Sequence, residues 1–140
     1  MGAQPTGRIV LLSIKPAYAD AIFAGRKTIE FRRSRIAADI DIVLVYATRP
    51  VGQVVGWFEV AGVVESTPSK LWRDYSDQGG IDRHSYVDYF SDTGKAFGIL
   101  VRRATRLTAP ARLEQISPGI RPPQSFQYLA PDAAAAVLAA

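Results

Sequence analysis

The 140-residue sequence contains no cysteine and a single histidine, His84. Disulfides, thiolate zinc sites and cysteine nucleophiles are therefore excluded, and so are histidine-pair catalysis and multi-histidine metal centres. No apolar run approaches the ~18 residues a membrane span needs. The start, MGAQPTGR, lacks the basic-then-apolar order of a signal peptide. These absences predict a cytoplasmic protein with no membrane partner. Neither GxGxxG nor a phosphate-loop pattern is present, which argues against nucleoside triphosphate chemistry. No cofactor and no metal are expected.

Apolar residues make up 48% of the chain and charged residues 21%, the balance of one soluble globular domain with a real core. The predicted organisation is a flexible N-terminus over 1–7, one domain over 8–129 and an alanine-rich tail over 130–140. That tail reads either as a frayed helix capped by Asp132 or as a disordered end.

Charge is unevenly spread. Residues 1–35 carry seven basic groups against two acidic, residues 36–95 five against nine, and residues 96–140 five against two. Basic ends around an acidic middle point to a localised anion-attracting face. Arginine supplies thirteen of the seventeen cations, and its planar fork suits bidentate phosphate contacts.

RIVLLSIK (8–15) reads as a buried strand, and Pro16 opens a short helix over 16–24 that Gly25 ends. In TIEFRRS (28–34) the period changes to alternation. Phe31 then anchors one face in the core, while Glu30 and Arg32 share the other. DIVLVYATRP (41–50) is a third strand, with Tyr46 and Thr48 on one side. The next segment, 52–66, is a long strand in which Gly56 and Gly62 permit bends. Residues 67–94 predict two short helices joined at Gly79–Gly80 with acidic outer faces. Strand returns over 95–110, and a last short strand is expected within 116–129. The fold class is α+β: a small barrel of about six strands, with one helix between the first two and a helical insertion.

The stretches LLSIKPAYADAIFAGRKTIEFRR, VLVYATRPVGQVVGWFEV and PPQSFQYL resemble the ASCH domains, a branch of the PUA-like superfamily. The resemblance spans roughly residues 9–129 and is carried mainly by the helix followed by GRKTIEFR. It implies a PUA-like β-barrel with a cleft beside the first helix, and an RNA-related role. Some relatives are labelled predicted transcriptional regulators, some are amidohydrolases acting on acetylated cytidine, and some are reported as ribonucleases. Lys27 occupies the motif's lysine position. Glu30 stands where the amidohydrolase branch has threonine, and the helical insertion is a further departure.

Arg26, Lys27, Arg32 and Arg33 crowd around one carboxylate, Glu30. One reading makes Lys27, Arg32 and Lys15 the walls of a cleft that holds phosphate or a base edge, with Glu30 orienting them. The other makes Glu30 a structural ion-pair partner of Arg32 or Arg49. Tyr46, Trp57 and Phe58 are candidates to stack on a base. Gln124 and Ser125, on a proline-fixed loop, are expected at the cleft rim with Thr48. His84 reads as a surface residue. RNA or a modified nucleotide is the expected partner, and DNA ranks below it because no helix-turn-helix is present. On this reading Lys27→Ala or Arg32→Ala weakens binding with little loss of fold. If the protein is instead an enzyme, Lys27 and Glu30 are its working pair.

Overall fold

A computed structural model describes residues 7–139. The expected flexible N-terminus lies outside these residues except for Gly7, as does Ala140. The chain runs β1 (Arg8–Ile14), α1 (Pro16–Phe23), β2 (Ile29–Arg32), β3 (Ile40–Ala47), β4 (Gln53–Ser66), α2 (Pro68–Tyr75), α3 (Arg83–Tyr89), β5 (Ala96–Ala111), α4 (Leu113–Ile116), β6 (Phe126–Leu129) and α5 (Ala135–Leu138). Single 3-10 turns span Ser76–Gln78 and Pro131–Ala134.

The six strands form one mixed sheet in the order β2-β5-β4-β3-β1-β6, the α+β arrangement expected. β1 and β3 are parallel, and every other pairing is antiparallel. A parallel pair needs a crossover, which α1 and β2 supply. The ladder stays open, with β2 and β6 as its two edges. Curvature nevertheless brings those edges together. Arg32, at the end of β2, donates to the Ser13 carbonyl in β1 and to the Ser125 hydroxyl just before β6. One side chain thus spans the seam of an almost closed barrel.

Both faces of the central strands are covered. Ile9 and Leu11 of β1 join Leu44 and Trp57 on one side, and Val10, Leu12 and Ile14 join Val43 and Phe58 on the other. Burial on both faces explains why β1 reads as an unbroken apolar run. It also removes Trp57 and Phe58 as base-stacking candidates, since each is core on its own face. The cover on the first side is the C-terminal segment: Ala134, Val137 and Leu138 are buried against it. The described part of the alanine-rich tail docks as a 3-10 turn and a four-residue helix, and Asp132 lies within that turn. On the second side α1 packs Ala19 and Ile22.

The register of β4 against β5 shifts beside Gly56 and Gly62, the two positions where bends were expected. A Cβ at Gly56 would lie 2.4 Å from the Phe23 ring and 2.5 Å from the Thr105 carbonyl oxygen. Only glycine lets α1 sit this close to the sheet.

The insertion folds as two capped helices. The Thr67 hydroxyl accepts from the Lys70 amide and the Asp82 carboxylate from the Ser85 amide, each satisfying a free donor of a first turn. The Ser85 amide, and then its hydroxyl, hold the Asp82 carboxyl below the usual aspartate value. Leu71, Tyr86 and Phe90 pack on Ile29 and Phe31 of β2. Phe31 meets Tyr86 edge-on, with ring centroids 5.0 Å apart. Tyr86 donates to the Pro68 carbonyl at 2.7 Å, and burial pushes its hydroxyl up to about 12. No helix among the described residues is long and apolar enough to cross a membrane.

Candidate functional site

The GRKTIEFRR stretch is shaped by its ends. Gly25, with φ +81°, terminates α1, and the amides of Arg26 and Lys27 both turn back to the Ala21 carbonyl. This is the conformation glycine adopts without steric cost. β2 then begins at Ile29, and all four of its residues are buried. Ile29 and Phe31 face the helical insertion, while Glu30 and Arg32 face a cavity of about 400 Å³.

That cavity lies where β1 and β3 end and α1 begins. Ser13, Lys15 and Tyr18 form one wall, Ile81, Ser85 and Tyr89 of the insertion a second, and Gln124 and Ser125 a third. At its base three ionised groups are buried together. Lys27 is 2% exposed, Glu30 5% and Arg32 8%. The Lys27 ammonium donates to the Gly79 carbonyl at 2.5 Å and lies 3.4 Å from Glu30 Oε1. The other oxygen, Glu30 Oε2, accepts from Arg32 Nη1 at 3.2 Å. Arg32 Nη1 also reaches the Ser13 carbonyl at 3.3 Å, and Nη2 reaches Ser125 Oγ at 2.5 Å. Arg32 Nε, equally buried, has no hydrogen-bond partner.

Arg32 lines the cavity, and a guanidinium on a cavity wall is a strong partner for an anion. The charge of the lining agrees. Lys15, Lys27, Arg32 and Arg33 contribute cations, and Glu30 is the single carboxylate among the lining residues. Both Glu30 oxygens already hold a cation. It is therefore the shared ion-pair partner of Lys27 and Arg32, and Arg32 is the partner the structural reading named. Among the described residues no three of the His, Asp and Glu side chains cluster as metal ligands.

Lys15, Lys27, Glu30, Arg32, Thr48, Gln124 and Ser125 are brought together around the cavity. Tyr46 is not. It is buried with Leu44 and Trp57 in the core on the first side of the sheet. The β3–β4 register shifts between Val45 and Tyr46, and the strand ends at Ala47. The alternation that paired Tyr46 with Thr48 therefore stops before Thr48 is reached. Arg49 does not pair with Glu30, and His84 is exposed, outside the cavity lining.

Lys27 also differs from expectation in being part of the core. Gly80, at φ +59°, crosses its stem so closely that a Cβ there would lie 2.8 Å from Lys27 Cβ. Lys27→Ala would leave Glu30 half paired and the Gly79 carbonyl unmet, so it perturbs the fold as well as the cavity. Sequence reasoning missed Tyr18, Arg33, Ser85 and Tyr89 as lining residues. Arg33 lies with its guanidinium carbon 5.0 Å from the Tyr89 ring centroid, a cross-segment contact that no local pattern encodes.

The sequence model of the ASCH domain matches residues 12–107. The chain is 34% identical over 128 residues to an ASCH domain-containing ribonuclease of Zymomonas mobilis, spanning 89% of this chain and 86% of that protein. The crystal structure of the ASCH protein from Zymomonas mobilis superposes with a TM-score of 0.86 at 31% identity, covering 94% of each chain. A large ribosomal subunit protein uL22 of Ureaplasma parvum is 29% identical over 127 residues, which span 90% of this chain and 40% of that protein. Over most of its length, in sequence and in fold, the chain belongs to the ASCH domain family.

Proposed function

We propose that the protein binds RNA, taking one nucleotide and its phosphate into the cavity, and cleaves the strand there. The observation that carries this reading is the lining of the cavity, four cations (Lys15, Lys27, Arg32 and Arg33) against the single carboxylate of Glu30. The similar protein from Zymomonas mobilis is a ribonuclease, which supports RNA over other anions. The cavity volume falls within the ~300–1,000 Å³ common for small-ligand pockets. Arg32 would hold the phosphate, with Lys27 as a second positive charge behind it. Glu30 keeps both in place. Charge fixed before the substrate arrives stabilises the additional negative charge of a phosphoryl-transfer transition state. Tyr18 and Tyr89, half-buried on facing walls, offer rings to the base.

Binding and cleavage of a fluorescent single-stranded RNA test this, comparing wild type with Arg32→Gln and Arg103→Gln, each first checked by thermal melting. Losing a charge-assisted contact worth about 1.5–3 kcal/mol should weaken binding by roughly tenfold to a hundredfold in Arg32→Gln. Cleavage should fall with it. Arg103→Gln, which alters only a surface pair with Glu59, should match wild type. A folded Arg32→Gln protein that binds and cleaves normally would overturn the assignment.

The Lys27–Glu30 contact at 3.4 Å favours one second reading, deacylation of a modified nucleoside by that pair. Release of acetate from acetylcytidine, lost in Glu30→Gln, would support it. Against it, the Lys27 ammonium is already committed to Gly79 and Glu30.

A further inference from the structure

We infer that Ser85, which the α2–α3 insertion places in the cavity wall, is a specificity-determining residue. Its hydroxyl is fixed as an acceptor, so the cavity selects a base that offers an amino group there over one that offers a carbonyl. This inference rests on the RNA reading above and adds to it which base the cavity takes.

The argument starts from where each hydroxyl proton goes. The Ser85 amide donates to Asp82 Oδ1 at 2.8 Å, and Ser85 Oγ donates to Asp82 Oδ2 at 3.0 Å. These two bonds hold the Asp82 carboxyl below the usual aspartate value. Near neutral pH it is ionised and can only accept. A serine hydroxyl carries one proton. With that proton committed to Asp82, Ser85 has only lone pairs left for a ligand. Ser13 is fixed in the same way, since its Oγ donates to the Pro123 carbonyl at 2.6 Å. Ser125 is fixed in the opposite sense: its oxygen accepts from Arg32 Nη2 at 2.5 Å, which leaves its own proton to give. All three serines line the cavity. Tyr18, Thr48, Tyr89 and Gln124 can each turn to give or to accept, so they impose no polarity.

The rest of the lining sharpens the contrast. Lys15, Lys27, Arg32 and Arg33 can only donate, which suits phosphate and carbonyl oxygens. Both Glu30 oxygens are held by buried cations. The fixed acceptors that remain for a ligand N–H are Ser13 and Ser85. Cytosine, adenine and guanine each carry an exocyclic amino group, whereas uracil carries carbonyls only. An amino group facing Ser85 gains a hydrogen bond. A carbonyl there sets lone pairs against lone pairs. Ser85 is half-buried, so water replaces part of a missing bond, and the discrimination is that of one neutral hydrogen bond. Charge for the anion thus comes largely from GRKTIEFRR, and the choice of base from the insertion.

The test is binding of fluorescent octacytidylate and octauridylate at neutral pH to wild type, Ser85→Ala, Asp82→Asn and Arg32→Gln, each variant first checked by thermal melting. Wild type should favour octacytidylate by about threefold to tenfold. Ser85→Ala should bring the ratio close to one. Asp82→Asn reverses the polarity without removing the hydroxyl. Asparagine caps a helix as well as aspartate does; its oxygen still takes the Ser85 amide, and its amide N–H now donates to Ser85 Oγ. The Ser85 proton is then released to the cavity, and the preference should shift towards octauridylate. Arg32→Gln should weaken both oligomers and leave their ratio alone. Equal binding of the two by wild type, a preference kept in Ser85→Ala, or a wild-type ratio in Asp82→Asn would each overturn the inference while leaving RNA in the cavity. No binding of either oligomer by wild type would overturn the RNA reading itself.

Discussion

Glu30 is the residue on which the site turns. It sits between two buried cations, at 3.4 Å from Lys27 and 3.2 Å from Arg32, with no water-facing alternative for either. Buried ion pairs contribute little net stability when intact, yet breaking one strands a charge in a poorly solvated place. Glu30→Gln keeps the shape and removes the charge, leaving two buried cations side by side. The expected cost is about 3–5 kcal/mol, read as a lower urea midpoint with an unchanged slope. An unchanged midpoint would mean that water, and not Glu30, solvates Lys27 and Arg32. Lys27 also ties the insertion to the sheet through the Gly79 carbonyl.

At the scale of elements, the α2–α3 insertion is a wall of the site and a hydrophobic unit at once. Tyr86 anchors it, and its titration gives a pH signature. The hydroxyl is held protonated up to about 12 against a value of 10.0 when exposed. Below pH 10 both folded and unfolded chains keep the proton, and the full stabilisation is present. From about 10 to 12 the unfolded chain releases it while the folded chain does not, so stability falls as pH rises. In Tyr86→Phe this alkaline decline should vanish, at a cost of about 1 kcal/mol at neutral pH for the lost bond to the Pro68 carbonyl. Urea midpoints at pH 8 and pH 11 for both proteins check this; an equal decline in both would place the alkaline sensitivity elsewhere. Much of this layer was legible in the sequence. Alternation in TIEFRR correctly separated Phe31 from Glu30 and Arg32, and aromatic spacing marked the insertion's packed face. What was not legible depended on contacts distant in sequence. Tyr46 was misplaced because β3 ends at Ala47, so the alternation that grouped it with Thr48 stops short of Thr48, and its own face is the core shared with Leu44 and Trp57. The tail was misjudged because alanines show no periodic contrast, although Ala134, Val137 and Leu138 cover a face of the sheet. Tyr89 is both packing and cavity wall, a double role set by contacts between segments far apart in sequence.

For the whole molecule, the sheet that curls into a barrel does so without completing its ladder: β2 and β6 never pair. Arg32 joins the first edge to Ser13 and Ser125 at the second, and the same residue lines the cavity. On the proposed reading, gripping an anion and latching the barrel would both fall to this one side chain. A bound phosphate would immobilise the latch, and any opening of the seam would loosen the phosphate. If RNA binds here as proposed, its residence time should follow how often the barrel breathes. Amide hydrogen exchange should be slowed by bound RNA along β6 and the residues leading into it, far more than along β4. Equal slowing in both strands would mean that release does not pass through the seam.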